Sequence, residues 1–143
     1  MEYVQSRNLK IMNKKIKLGI IGCGKIANYH LISMQKAGFN LFSISGKYNS
    51  KNAIKLKKKF KINKVFNSTE DHIHSKEYEA LLFLTPPEVT YEYLLNIDNS
   101  TKVLAEKPIT FYSQKLKKLR KKKNIRVALN RRQYRVVELI KSK

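Results

Sequence analysis

Acidic residues are scarce in this chain of 143 residues, which carries 31 Lys and Arg against 10 Asp and Glu and has a formal net charge of +21. No acidic residue occurs between Tyr3 and Thr69. Such an excess of cations attracts phosphorylated ligands and polyanions at low salt. Because Lys, Asn and Ile are abundant together, as AT-rich genomes encode them, we interpret most of the charge as solvated surface. Specific nucleic-acid binding is not predicted. The Lys-rich runs 55–64 and 115–123 leave non-specific binding as an alternative.

Cysteine and histidine are also scarce. The single cysteine, Cys23, cannot form an internal disulfide, and the 3 histidines without a CxxC pair offer no metal-ligand set. No apolar run approaches the roughly 18 residues that span a bilayer. Residues 1–15 are polar and basic and lack the apolar segment of a signal peptide. We therefore expect no metal, no membrane partner and a cytoplasmic protein.

Apolar runs alternate with helical patterns from residue 16 onward. Strands are predicted at 17–21, 40–45, 64–66, 80–84, 102–105 and 125–129. Helices are predicted between them at 26–37, 50–60, 88–97 and 112–122. This alternation predicts an α/β fold, a doubly wound parallel sheet that is Rossmann-like and forms a single domain. We place that domain at 16–130, after an N-terminal extension at 1–15 and before a C-terminal tail at 131–143.

The same spacing predicts which side of each helix is apolar. The second helix is expected to begin with Ser50 as its N-cap. The predicted apolar positions are Ile26, Tyr29, Met34 and Ala37 in the first helix, Ala53, Ile54, Leu56 and Phe60 in the second, and Leu116 and Leu119 in the last.

The stretch GIIGCGKIANYH, residues 19–30, places glycines between a strand and a helix. In a dinucleotide-binding turn the first glycine permits the tight turn, the second lets the backbone approach the pyrophosphate, and a third small residue allows close packing. Gly22, Gly24 and Ala27 occupy these positions. Backbone N–H groups of the opening helix would face the phosphates. The alternative is a turn that needs glycines only for its geometry. The predicted phosphate-binding residues are Gly22, Cys23, Gly24, Lys25, Ile26 and Ala27.

The acid that binds the adenosine ribose of NAD is missing from its expected place. Such an acid stands at the end of the second strand, ~20 residues after the glycines, where this sequence reads SGKYNS at 45–50. A serine followed by a cation suits the 2′-phosphate of NADP, so Ser45 and Lys47 are predicted cofactor contacts. NAD or NADP is therefore expected, with NADP slightly favoured. The alternative is that Lys47 is one more surface lysine.

Four motifs in order resemble the N-terminal domain of the Gfo/Idh/MocA oxidoreductases over about residues 16–134. They are the glycine turn, FLTPPEVTYEY at 83–93, AEKP at 105–108 and VALNRRQY at 127–134. The family includes glucose-fructose oxidoreductase, inositol dehydrogenase and nucleotide-sugar dehydrogenases. The resemblance implies a domain that binds a nicotinamide dinucleotide. In full-length relatives, hydride passes between that cofactor and a sugar or nucleotide-sugar hydroxyl.

The resemblance also implies roles for the Glu-Lys-Pro motif. In the family its lysine lies near the nicotinamide ribose and often assists proton movement, which implies a catalytic role for Lys107 and a place near the cofactor for Glu106. A lysine at the carboxyl end of a parallel strand is well placed for either role. His30 matches a histidine that is common in the family's first helix. We interpret it as a residue at the core edge that is satisfied by backbone.

The two remaining motifs imply further neighbours of the cofactor. Thr85 and Pro86 match residues that line its adenosine or ribose side. Asn130 and Arg131 match residues that lie near the active site in full-length relatives. Thr90 is a departure, because the family often has histidine at this position.

Relatives continue into a second domain that carries the substrate pocket, the usual catalytic Asp/His pair and most of the oligomer interface. This sequence ends at Lys143. We therefore expect a truncated or split NAD(P)-dependent oxidoreductase that is inactive alone, with its substrate domain lost or supplied by a separate chain. Self-association through exposed faces is also expected. A non-catalytic nucleotide-binding or regulatory module is the main alternative.

Overall fold

A computed structural model describes residues 15–129, which form one six-stranded sheet with helices on both faces. The strands are β1 (Lys17–Ile21), β2 (Asn40–Ser45), β3 (Lys64–Phe66), β4 (Ala80–Phe83), β5 (Lys102–Ala105) and β6 (Ile125–Val127). The helices are α1 (Ala27–Lys36), α2 (Lys51–Phe60), α3 (Thr69–Ser75), α4 (Pro87–Asn96) and α5 (Ser113–Leu119). All strand pairs are parallel, in the order β3-β2-β1-β4-β5-β6. The predicted α/β fold with a doubly wound parallel sheet is confirmed.

The strand order reverses between β1 and β4, and ligands of open α/β sheets bind at this switch point. Backbone hydrogen bonds continue the sheet past the strand ends, from Gly22 N–H to Ser45 C=O at 2.8 Å, from Leu84 N–H to Ile21 C=O at 2.7 Å and from Glu106 N–H to Phe83 C=O at 2.8 Å. The segments that follow β1, β2, β4 and β5 are thereby held at one edge.

The sheet is buried on both faces because alternate strand residues enter two separate cores. In β1, Leu18 and Ile20 pack with residues of α1 and α2, whereas Ile21 packs with residues of α4 and α5. In β4, Leu82 joins the first core and Phe83 the second. Both faces of the central strands are therefore apolar, as expected for a parallel sheet covered on each side.

The predicted apolar faces of three helices need correction. In α1 the buried residues are Ala27 and Leu31, while Tyr29 is 68% exposed. Neither residue belongs to the predicted set, although Met34 of that set is partly buried against the first core. Ile54 in α2 and Leu116 in α5 are also exposed. Leu119 is the buried residue of α5, which packs through its last turn.

The start of one helix was predicted and another helix was missed. Ser50 is the N-cap of α2, as predicted, and its hydroxyl accepts a hydrogen bond from the Ala53 N–H at 3.4 Å. Helix α3 was not predicted. Its 7 residues bury only Thr69 and His72, so the segment carries no recurring apolar stripe that would announce a helix.

Candidate functional site

A cleft of about 930 Å³ opens at the carboxyl edge of the sheet, beside the switch point. Clefts of this size hold ligands of nucleotide dimensions. Its walls come from the segments after β1, β2, β3 and β4. The lining residues are Gly22, Cys23, Gly24, Gly46, Lys47, Tyr48, Ser50, Asn52, Ser68, Thr69, Glu70, Leu84, Thr85, Pro86, Val89 and Tyr93.

The two glycines of the turn after β1 have different surroundings. Gly22 has a φ of +106°, and a Cβ there would lie 2.8 Å from the carbonyl carbon of Leu84. A side chain at this position would strain the backbone and collide with the neighbouring segment, so glycine is required. A Cβ on Gly24 would meet nothing within 4 Å. Gly24 therefore borders open space on the cleft, where a ligand could approach the backbone closely.

The other predicted residues of this turn divide between surface and core. Lys25 and Ile26 are exposed, whereas Ala27 is fully buried against the sheet. The Cys23 sulfur lies 3.0 Å from the Ser50 hydroxyl. A Cβ on Gly46 would overlap that sulfur, so the glycine lets the segment after β2 pack against the turn.

The last residue of β2 and the segment that follows it place the two predicted contacts on opposite sides. Lys47 is exposed and lines the cleft. Ser45 is fully buried, and its hydroxyl lies 2.9 Å from His72 Nδ1. His72 Nε2 in turn lies 2.7 Å from the Ser43 hydroxyl, and burial lowers the pKa of His72 to about 4. Because the Ser45 side chain belongs to this buried cluster, its predicted place beside the cofactor is corrected to the core.

An acid does line the cleft, and sequence reasoning missed it. Glu70 lies in the first turn of α3, and the Tyr93 hydroxyl of α4 donates a hydrogen bond to its carboxylate. This hydrogen bond lowers the pKa of Glu70, while burial and the neighbouring carboxylate raise the pKa of Tyr93 to about 12. The signal in the sequence is Ser68 followed by two acids, which is typical of a helix N-terminus. Ser68 does cap α3, accepting from the Asp71 N–H at 3.0 Å.

The segment after β4 carries two of the predicted contacts. Thr85 and Pro86 both line the cleft. The Thr85 hydroxyl lies 2.7 Å from that of Thr90, which also donates to the Thr85 carbonyl at 2.9 Å. Thr90, the departure from the family pattern, is buried and holds this segment in shape.

The loop after β5 lies at the same edge but does not line the cleft. Glu106 Oε2 is 2.9 Å from His30 Nε2 in α1, and Lys107 is exposed. The Lys107–Pro108 peptide bond is cis. The interpretation of His30 as satisfied by backbone is wrong, because its imidazole pairs with a carboxylate that is distant in sequence.

Asn130 and Arg131 lie outside the described residues. Within 15–129, no group of three or more His, Cys, Asp or Glu side chains could hold a metal ion. Across the same range, none of the helices is both long and apolar enough to cross a membrane.

A glycine turn at the switch point of a doubly wound sheet, opening into a nucleotide-sized cleft, defines a dinucleotide-binding domain of the Rossmann type. Residues 16–131 match the family described as "Oxidoreductase family, NAD-binding Rossmann fold", which is Gfo/Idh/MocA. The chain belongs to this family, as its motifs predicted. No curated protein matches the chain.

Solved structures similar to this chain include several dehydrogenases. The WlbA dehydrogenase from Bordetella pertussis, in complex with NADH and UDP-GlcNAcA, is 20% identical with a TM-score of 0.75 over 90% of this chain and 41% of its own. The myo-inositol dehydrogenase from Lactobacillus casei, in complex with NAD(H) and myo-inositol, is 18% identical with a TM-score of 0.78 over the same shares. A probable dehydrogenase from Thermotoga maritima is 20% identical, with a TM-score of 0.73 over 89% of this chain and 40% of its own. At these identities the similarity shows the fold, and the chain spans about 40% of the length of these structures.

Proposed function

We propose that this chain binds a nicotinamide dinucleotide in the cleft and acts as the cofactor domain of an oxidoreductase whose substrate carries a sugar-type hydroxyl. The observation that carries this proposal is the glycine turn. Gly22 is fixed by the Leu84 backbone, and Gly24 leaves open space on the cleft. The start of α1 follows directly, so its N–H groups and dipole favour a pyrophosphate there.

On the basis of the sheet topology, we assign the two halves of the cofactor to different regions. In a doubly wound sheet the dinucleotide lies across the switch point, with one nucleotide on each side. The adenine side is then the cleft formed by the segments after β1, β2, β3 and β4. The nicotinamide side is the loop after β5, residues 106–108, which adjoins the outer strand pair β5–β6.

The bound dinucleotide would accept or donate the hydride. Oxidation of a hydroxyl carbon also releases a proton from its oxygen, and a positioned side chain assists that transfer. Lys107 is exposed at the carboxyl end of β5, so we assign it the movement of this proton at Nζ. Glu106 is proposed to lie beside the nicotinamide ribose.

The substrate surface is assigned to a second domain, in the same polypeptide or in a separate chain. Hydride transfer requires the substrate carbon to be held against the nicotinamide. The similar structures, which are longer than this chain, include complexes with UDP-GlcNAcA and with myo-inositol. We take the polyhydroxylated substrate class from these complexes and expect little turnover from residues 16–131 alone.

Calorimetric titration with NADH and NADPH at physiological salt tests the proposal. Saturable binding is expected for the unaltered chain, and Gly24→Asp should abolish it because a carboxylate would stand where the phosphates approach. Ser33→Asp is the control, since it adds the same charge at an exposed position of α1. Absence of binding to either dinucleotide, or unchanged binding by Gly24→Asp, would contradict the proposal.

NADP is the favoured cofactor in this proposal. Lys47 lines the adenine side, and β2 ends without an acid. Lys47→Ala should weaken NADPH by roughly tenfold or more and NADH little, because a charge-assisted hydrogen bond to a phosphate contributes about 1.5–3 kcal/mol. Lys51→Ala, an exposed lysine that does not line the cleft, is the matched control. Equal weakening of both dinucleotides would instead indicate a general charge effect, and Glu70 would then be the candidate ribose acid of an NAD site.

A further inference from the structure

A side-chain pair joins the nicotinamide side to the helix of the glycine turn. His30 Nε2 lies 2.9 Å from Glu106 Oε2, and the two side chains are only 19% and 22% exposed. His30 stands one turn into α1, and its N–H donates to the Ile26 carbonyl at 3.3 Å. The imidazole is therefore carried by α1, the helix whose first turn follows the glycines.

The backbone of the loop 106–108 is held by the neighbouring strand β4. The Glu106 N–H donates to the Phe83 carbonyl at the end of β4 at 2.8 Å. Ala105 and Ile109, which flank residues 106–108, are both buried. With its backbone held by β4 and its carboxylate held by α1, Glu106 connects the end of β5 with the end of β1 across the switch point.

We propose that His30 is a positioning residue that holds Glu106, and with it the Lys107 loop, in the orientation that receives the nicotinamide half of the cofactor; this rests on the function proposed above. Nε2–H donates to one carboxylate oxygen and leaves the other oxygen of Glu106 for a ligand. A side chain fixed before binding loses less conformational entropy when the ligand arrives. The pair therefore preorganises a loop that does not line the cleft.

Matched polar substitutions isolate this role. Glutamine carries an amide nitrogen about as far along its side chain as Nε2, so His30→Gln can still donate to Glu106. Asparagine is one methylene shorter, so His30→Asn cannot reach. We expect His30→Asn to weaken NADH or NADPH, whichever the unaltered chain binds more tightly, by about fivefold. His30→Gln should stay within about twofold of the unaltered chain.

The affinity for ADP distinguishes a positioning role of His30 from a merely structural role. A merely structural change would weaken ADP and the dinucleotide alike. ADP occupies the adenine side, whose lining residues include neither His30 nor Glu106. Its affinity should therefore stay within about twofold in both variants. Asn28→Leu is the control on the same helix, because it removes an exposed hydrogen bond from Lys59 and should leave both ligands unaffected.

A double-mutant cycle with Glu106→Ala, which removes the acceptor, completes the experiment, and thermal unfolding monitors the fold of each variant. If His30 acts through Glu106, then His30→Asn should add little to the loss caused by Glu106→Ala. Equal loss of ADP and dinucleotide, unchanged dinucleotide binding by His30→Asn, or additive losses in the cycle would overturn the inference. Failure of the unaltered chain to bind any dinucleotide would overturn the proposed function as well, so the two failures are distinguishable.

Discussion

The adenine side and the nicotinamide side lie at one edge of the same sheet, yet different contacts hold them in place. On the adenine side, Gly22 packs against the Leu84 backbone and Gly46 against the Cys23 sulfur. On the nicotinamide side, the side-chain contact that ties the loop to α1 is His30 with Glu106. The first arrangement depends on close backbone packing and the second on a pair of side chains. Damage to the first should therefore cost stability, whereas damage to the second should cost function with the fold retained.

Gly22→Ala should have the largest effect on stability, because it disrupts the close packing of the adenine side. The φ of +106° and the carbonyl carbon of Leu84 at 2.8 Å leave no room for a methyl group. We expect the free energy of unfolding to fall by roughly 2 to 4 kcal/mol, measured by urea denaturation, together with loss of dinucleotide binding.

Gly24→Ala is the matched control two residues away. Open space surrounds that position, so its stability should change by less than about 1 kcal/mol. A Gly22→Ala variant as stable as Gly24→Ala would refute the distinction between the two glycines.

We predict that the buried cluster of Ser43, Ser45 and His72, beneath the adenine side, makes the stability of the chain depend on pH. The apolar core around β4 and β5 is not expected to share this dependence. His72 has a pKa of about 4 in the folded chain, below its ordinary value of 6.5, chiefly because of burial. Between these values the unfolded chain binds more protons, so stability is full above pH 6.5 and is lost as the pH falls towards 4. We expect a loss of about 2 to 3 kcal/mol between pH 7.5 and 4.5.

Urea denaturation at several pH values measures this loss, and two histidine variants show its origin. His72→Gln should flatten the dependence above pH 4.5, whereas His74→Gln, at an exposed position of the same helix, should preserve it. A steep dependence that survives in His72→Gln would assign the effect to other groups.

Tyr93→Phe should have the smallest effect, a shift in the pKa of one carboxyl group at the cleft wall, where α3 and α4 meet. The Tyr93 hydroxyl is the main cause of the lowered pKa of Glu70, so its removal should raise that pKa towards the ordinary carboxyl range. Titration of the Glu70 carboxyl by NMR measures the shift. Tyr29→Phe, at an exposed position of α1, should leave it unchanged, and an unmoved Glu70 in Tyr93→Phe would show that the hydrogen bond is not maintained.

The sequence by itself determined the order of strands and helices, the capping of α2 by Ser50 and the place of the glycine turn. Each of these depends on residues close together in the chain, where periodicity, caps and glycine conformations act. Helix α3 escaped prediction because it is short and buries one histidine in place of an apolar stripe.

The tertiary structure alone decided the side-chain arrangement at Ser45, Glu70 and Glu106. β2 is buried on both faces, so alternation could not show that Ser45 turns towards His72 and does not line the cleft. Glu70 enters the cleft because α3 packs beside β2 and β3, and Glu106 meets His30 because parallel strands bring their carboxyl ends together. Such contacts join residues that are far apart in the chain. Local spacing along the sequence does not predict these contacts, because only the packing of helices on the sheet brings the residues within reach.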